Sequence, residues 1–323
     1  MAKVVITQRL HDKGMELLEQ HAQAVVAGTG NPRELDPFLA DADGLIIRIG
    51  SIDRQGLLAA KNLKVIGRPG VGVDDVDVAT CTELGIPVVI VPGANTRSVA
   101  EHAMLLMFAT AKDLLRSDQE TRRGNFGIRS SFKAYELKGR TLGLIGGGAI
   151  GSEFGRMAQG IGMNVMVYDP FLKKDDVEAR GWRHVANLDD LYREADVISI
   201  HVPLTEQTRN MIGDREFGLM KKDAILINCA RGGIIDEDAL YRALKENRIH
   251  GAGTDVLAKE PFDTTSPLMS LDNFVLTPHM AGQTKEAAAG VATGAVEGVL
   301  AVIRGEKWPK VCNPEAYNHP RWK

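Results

Sequence analysis

The sequence predicts an α/β protein built on two mostly parallel, doubly wound sheets. Three observations predict it: short Val- and Ile-rich runs recur along the chain, helix-patterned stretches alternate with them, and 323 residues exceed what one ordinary core takes. In the first half the runs are Lys3–Thr7, Leu45–Arg48, Leu63–Gly67 and Val88–Val91. In the second half they are Leu142–Gly146, Asn164–Tyr168, Val197–His201, Ala224–Cys229, Gly251–Asp255 and Phe274–Thr277. They are nearly all apolar rather than alternating, as strands covered on both faces are. Helical patterns such as Leu188–Ala195 and Asp236–Glu246 lie between them and make βαβ units.

Two longer helical stretches read as connectors, one from about Ser98 to Arg122 and one from about Lys285 to Arg304. The first leads from one set of strands to the next, and the tail after the second is too short to be a domain. The expected organisation is therefore discontinuous, with residues 1–98 and 285–323 forming one domain and 99–284 the other. No internal repeat or flexible Gly/Ser linker interrupts it.

Composition narrows the function. Hydrophobic residues make up 44% and charged residues 25%, the balance of a chain that buries a core. A formal net charge of -3 gives no field for gripping a phosphate backbone, so no nucleic-acid partner is expected. No apolar run is read as long enough to cross a membrane, and the opening MAKVVITQRL reads as a buried strand rather than a leader, so the expected location is cytoplasmic. Cys81, Cys229 and Cys312 are scattered, without C-x-x-C spacing, which argues for reduced thiols and against a metal site. Cys229 stands two residues before Arg231, where oxidation would bear on a site.

The strongest local signal is LGLIGGGAIGSEFG, residues 142–155, with G-x-G-x-x-G at Gly146, Gly148 and Gly151. The string follows a strand and opens a helix, the context that gives it meaning. Gly146 permits the tight turn, Gly148 lets backbone approach a pyrophosphate, and Gly151 lets helix and strand pack closely. Ala149 and Ile150 then open a helix whose N–H groups face the phosphates. The next strand ends at Asp169, followed by Pro170, and an acid there can accept hydrogen bonds from both ribose hydroxyls and repel a 2′-phosphate, favouring NAD over NADP. Lys173 and Lys174 lie nearby and soften that choice. Gly70 and Gly72 in RPGVGVDD lack a third glycine and make no second dinucleotide site.

Three segments follow later strands: NCARGGIID (228–236), TDVLAKEP (254–261) and TPHMAGQT (277–284). In an open parallel sheet ligands bind beyond the carboxyl ends of strands, and the segments put Arg231, Glu260 and His279 there. Singly, each has a structural explanation: a helix-capping arginine, a solvated turn, a structural histidine. Together, with the glycine string and HVPLTEQTRNMI (201–212), they resemble the D-isomer-specific 2-hydroxyacid dehydrogenases, in particular the 3-phosphoglycerate dehydrogenase branch. The resemblance runs from RPGVGVDDVD through TPHMAGQT.

It implies a Rossmann cofactor domain inserted into a flavodoxin-like substrate domain, NAD as cofactor, and hydride transfer at C2 of a small anionic 2-hydroxy or 2-keto acid. His279 would be the general base or acid, since a histidine side chain titrates near neutral pH. Glu260 would orient the imidazole and favour its protonated form. Arg231 would bind the substrate carboxylate and polarise the C2 carbonyl. The backbone of Gly70, Val71 and Gly72 resembles the family's carboxylate cradle, and His279 also touches substrate. Asp255 matches the position holding the nicotinamide carboxamide. Val202, Pro203, Thr208, Cys229, Ala230 and Gly282 match positions lining the cofactor cleft.

The chain departs from the family pattern at Ala149, where an arginine is common, and at Pro69, which removes a backbone donor from the cradle region. Substrate identity stays open. Arg48, after LIIR, meets either a second anionic group or only solvent. Arg129 and Lys133 reach either a neighbouring site or only solvent. A three-carbon acid with a charged tail, 3-phosphoglycerate or sulfolactate, is the first expectation, and hydroxypyruvate or glyoxylate the second. Met104–Arg123 resembles the family's dimer-forming region and implies a homodimer, though its mixed faces also fit a helix packed within one chain. The short tail leaves no expectation of amino-acid feedback through an added domain. Two rivals remain. A formate-type enzyme on this architecture would place Gln where Glu260 stands. An NAD-sensing corepressor or scaffold would keep the fold without turnover.

Overall fold

The computed structural model describes residues 1–323, which fall into two compact units, 1–95 with 283–323, and 96–282. In the first unit five strands form one sheet: β1 (Lys3–Ile6), β2 (Gln23–Val26), β3 (Gly44–Ile46), β4 (Val65–Gly67) and β5 (Val88–Val89). All pairs are parallel and the order is β2-β1-β3-β4-β5, the flavodoxin-like doubly wound arrangement. Successive side chains point to opposite faces. Val5, Leu45, Ile47 and Ile66 enter one buried cluster, with Leu35 of α2 (Pro32–Leu39), Leu57 of α3 (Arg54–Ala59) and Cys81 of α4 (Val78–Glu83). Val4, Ile6, Ile46 and Val65 enter the other, with Leu18 of α1 (Asp12–His21) and Val296 and Val299 of the helix Lys285–Ile303.

That last helix corrects the expectation that no apolar stretch is long enough to cross a membrane. It has 19 residues and a hydropathy of 1.5, enough by length and composition. Its apolar residues Ala292, Val296 and Val299 are spent against the sheet, which explains the composition.

The second unit carries seven parallel strands: β6 (Thr141–Ile145), β7 (Asn164–Tyr168), β8 (Arg183–His184), β9 (Val197–Ile200), β10 (Ile225–Asn228), β11 (Gly251–Thr254) and β12 (Phe274–Leu276). Their order is β12-β11-β10-β9-β6-β7-β8. Counted from β6, this is the Rossmann arrangement with one strand added, and it reverses direction between β6 and β9. Its helices are α5 (Thr96–Ala111), α6 (Leu114–Arg122), α7 (Ala149–Gly160), α8 (Lys174–Glu178), α9 (Leu188–Glu194), α10 (Asp214–Leu219) and α11 (Glu237–Lys245).

Two details differ from the sequence expectation. β2 and β8 were not anticipated, because both are edge strands whose residues are only partly covered and so lack the all-apolar signature. The connector from about Ser98 to Arg122 is two helices rather than one. Asp113 breaks it with φ of 50°, a left-handed conformation that aspartate tolerates better than most residues, and no glycine or proline marks the break.

Candidate active site

The site forms where the second sheet reverses. After β6 the chain turns at Gly146, whose φ of 97° suits glycine, and a Cβ there would stand 2.7 Å from the His201 carbonyl oxygen. A Cβ on Gly151 would lie 2.2 Å from the Gly146 oxygen, so the turn closes only without a side chain. Gly148 is the N-cap of α7, has open space where a Cβ would be, and no side chain caps the helix. The first-turn amides of Ala149 and Ile150 are thus left for an acceptor other than a cap, which fits a pyrophosphate.

Asp169, at the end of β7, accepts the Gly147 N–H on Oδ2 at 2.9 Å and the Phe171 N–H on Oδ1 at 2.9 Å, and so ties the loop and Pro170 to the strand. The other side of Gly147 is tied by Ser152, whose hydroxyl donates to its carbonyl at 2.7 Å, and Arg180 donates to Ser152 Oγ at 2.6 Å. No local signal marks Arg180; the βαβ crossover brings it there. Beyond β9, burial pushes the His201 imidazole down to about 4. Its Nε2 lies 2.9 Å from Ser199 Oγ and its ring meets the Phe154 ring edge-on. Val202 and Pro203 follow. Thr208 donates to the Pro203 oxygen at 2.7 Å and accepts the Thr205 N–H at 2.7 Å, so it shapes this loop.

The turn after β10 is set by Asn228, which donates to the Arg231 oxygen and accepts the Ala230 N–H, both at 2.9 Å. The Arg231 guanidinium donates back to the Ala230 oxygen at 2.7 Å. A Cβ on Gly232 would fall 1.9 Å from the Leu257 oxygen, so this turn presses directly on the backbone leading to Glu260. Cys229 is buried, and desolvation pushes its thiol far above the usual range. A thiol held protonated is a poor nucleophile, which fits the expectation of a reduced thiol here rather than oxidation near the site.

After β11 comes Asp255, fully buried, its carboxylate accepting the Thr277 hydroxyl at 2.5 Å and the N–H groups of Met280 and Ala281 at 3.0 and 2.8 Å. After β12 comes His279, with φ of 52° and its N–H donating to the Asp255 carbonyl at 2.8 Å. A left-handed non-glycine residue costs about 1–3 kcal/mol. Each amide bond to a carboxylate returns about 1.5–3 kcal/mol, so the Asp255 contacts outweigh that strain. The result places His279 Nδ1 at 2.7 Å from Glu260 Oε2, with both side chains reaching solvent, 49% and 39% exposed. A carboxylate only accepts, so Nδ1 carries the proton and Nε2 is left with its lone pair. Ala281 and Gly282 close the loop.

In the first unit the Arg68 guanidinium pairs with both oxygens of Asp75, at 3.0 and 2.8 Å, and donates to the carbonyls of Ile47 and Arg48. This fixes the Gly70–Gly72 loop beside the end of β3. The Gly70 N–H donates to the Arg68 oxygen at 2.8 Å, so of the three expected cradle amides that one is already engaged within the loop. Arg48 is exposed, with its guanidinium donating to the Arg9 oxygen at 2.8 Å.

Residues 104–281 match the family model described as "D-isomer specific 2-hydroxyacid dehydrogenase, NAD binding domain". The chain is 43% identical over 314 residues to a D-3-phosphoglycerate dehydrogenase of Methanocaldococcus jannaschii, covering 97% of this chain and 60% of that one. This chain belongs to the D-isomer specific 2-hydroxyacid dehydrogenase family. It is also 35% identical to a glyoxylate reductase of Korarchaeum cryptofilum, over 97% of this chain and 96% of that one. A D-lactate dehydrogenase of Aquifex aeolicus, solved with NAD and lactic acid, superposes with a TM-score of 0.85 at 30% identity, over 94% of this chain and 96% of that one. The chain therefore spans about three-fifths of the phosphoglycerate dehydrogenase and nearly all of the other two. The glycine string carries Ala149 where an arginine is common, and Arg180 donates to Ser152 Oγ beside that loop.

Proposed function

We propose that the chain is an NAD-dependent dehydrogenase acting at C2 of a small anionic 2-hydroxy or 2-keto acid. The observation that carries the reading is the His279 Nδ1–Glu260 Oε2 contact of 2.7 Å, on the sheet whose uncapped, glycine-opened helix fits a dinucleotide. A bound nicotinamide supplies the hydride or takes it up. In oxidation His279 Nε2 accepts the hydroxyl proton as the C2–H bond breaks, and in reduction the same nitrogen returns it to the C2 oxygen. Glu260 holds the ring in the Nδ1–H tautomer and balances the imidazolium. Arg231 grips the substrate carboxylate and faces the charge that develops on the C2 oxygen.

Asp169 supports NAD over NADP, because its carboxylate stands at the strand end where a 2′-phosphate would be repelled. Asp169→Ser is expected to narrow the ratio of kcat/KM for NADH over NADPH by about tenfold or more, since a like-charge contact at about 4 Å near a protein surface costs on the order of 1–4 kcal/mol. An unchanged ratio assigns the ribose contact elsewhere.

A charged three-carbon acid of the 3-phosphoglycerate or sulfolactate kind is the first choice of substrate, supported by the phosphoglycerate dehydrogenase relative and by exposed Arg48. Glyoxylate and hydroxypyruvate form the second, supported by a glyoxylate reductase matched over nearly its whole length. A homodimer is proposed from the exposed Leu114, Leu115, Phe126 and Phe132, the last 90% exposed, along α6 and the segment after it. The three free thiols support a reducing compartment.

The test is nicotinamide absorbance with a panel of D- and L-2-hydroxy and 2-keto acids, with and without a charged tail. Turnover of one handedness of one member is expected. Tight NADH binding with no turnover anywhere would instead favour the corepressor or scaffold reading.

A further inference from the structure

Behind the proposed base lies a second histidine that the dehydrogenase reading leaves unused. His102 stands on α5 with only 11% of its side chain exposed. Its Nε2 is 2.8 Å from Thr277 Oγ1 and 3.5 Å from Asp255 Oδ1, and Thr277 Oγ1 is 2.5 Å from that same oxygen. The polarity of the chain follows from donor counting. Asp255 already accepts backbone N–H groups on both oxygens, so the single Thr277 hydroxyl proton points to it. The lone pair left on Thr277 then receives a proton from His102, which makes His102 the Nε2–H tautomer. Four residues earlier on the same helix face, Ser98 donates to the Ala281 carbonyl at 2.6 Å. Helix α5 thus grips the His279 loop at two points, one from each side of Asp255's amide contacts.

We propose that His102, acting through Thr277, is a positioning residue for catalysis: it holds the Asp255 carboxylate in the orientation that keeps the Met280 and Ala281 amides in place and His279 turned toward Glu260. The Asp255 backbone carbonyl holds the N–H of left-handed His279, and its carboxylate holds the next two N–H groups, so the carboxylate sets the course of the chain just beyond the imidazole. This role rests on the dehydrogenase reading.

Two pairs of substitutions in the full-length protein test it. Thr277→Val and His102→Leu remove the relay while keeping bulk, and Thr277→Ser and His102→Gln retain a donor at the same place. The first pair should lower kcat at saturating NADH by about tenfold to a hundredfold, the scale of a small misplacement of a catalytic group, in protein that is still folded at the assay temperature. The second pair should recover most of kcat, and the Leu/Val double variant should be no worse than the single ones. Equal losses in His102→Gln and His102→Leu, or no loss in Thr277→Val, overturn the proposal. Long-range 1H–15N spectra of the histidine rings supply a readout independent of turnover. They should give His102 as Nε2–H, and a His279 signal displaced in Thr277→Val but not in Thr277→Ser. An Nδ1–H His102 or an unmoved His279 signal also overturns it. A parent protein that turns over no acid but gives the expected spectra would instead sink the dehydrogenase reading alone.

Discussion

His279→Ala is expected to lower kcat by about a hundredfold to ten-thousandfold, the usual worth of a positioned general acid or base, while NADH binds as in the parent. The reason is local. The imidazole lies beyond β12, its Nδ1 is committed to Glu260 at 2.7 Å, and its exposed Nε2 has no protein duty in the structure that binding would need. The proposed dinucleotide contacts lie on the Gly146–Gly151 turn and Asp169, at other strand ends. Removing the ring therefore deletes proton transfer and leaves the binding surface standing. Stopped-flow turnover with fluorescence titration of NADH separates the two. Turnover near the parent value would remove His279 from the chemistry. Glu260→Gln should fall between them, because an amide can still accept the Nδ1–H but balances no imidazolium charge.

Arg231→Ala should raise KM for the acid and also lower kcat, together costing kcat/KM about a hundredfold to a thousandfold, as loss of a group facing developing oxyanion charge does. Arg231→Lys should recover little of it, since an ammonium offers a point charge where the guanidinium offers a planar fork. The geometry makes this a sensitive test. The Arg231 turn is shaped by Asn228 on both sides and pressed against Leu257, so the backbone stays in place when the side chain is shortened. A change in KM alone, with kcat intact, would make Arg231 a binding group without a part in the chemical step.

Much of this site was legible in the sequence because its signals are local. The glycines at 146, 148 and 151 answer steric demands within one turn, and each acts within a few residues of its neighbours. Arg231, Glu260 and His279 could be placed because each follows an apolar run, and in a parallel sheet the residue after such a run stands at the ligand-binding edge. What stayed hidden was joined by tertiary contact. His102 and Thr277 are 175 residues apart, and nothing in either segment announces the other. The Gly70 amide looked available from the motif, yet its acceptor two residues back is decided by how the loop folds. Edge strands β2 and β8 escaped because partial cover leaves a mixed composition, and the break at Asp113 because a left-handed residue needs no glycine to mark it.

The contact at position 232 constrains how such an enzyme can be redesigned. There is no room for even one methyl group against the Leu257 carbonyl, so any side chain at 232 would push the guanidinium-bearing turn away from the carboxylate-bearing one. Libraries built on this chain should therefore hold that glycine invariant and place their diversity at exposed positions such as Val71.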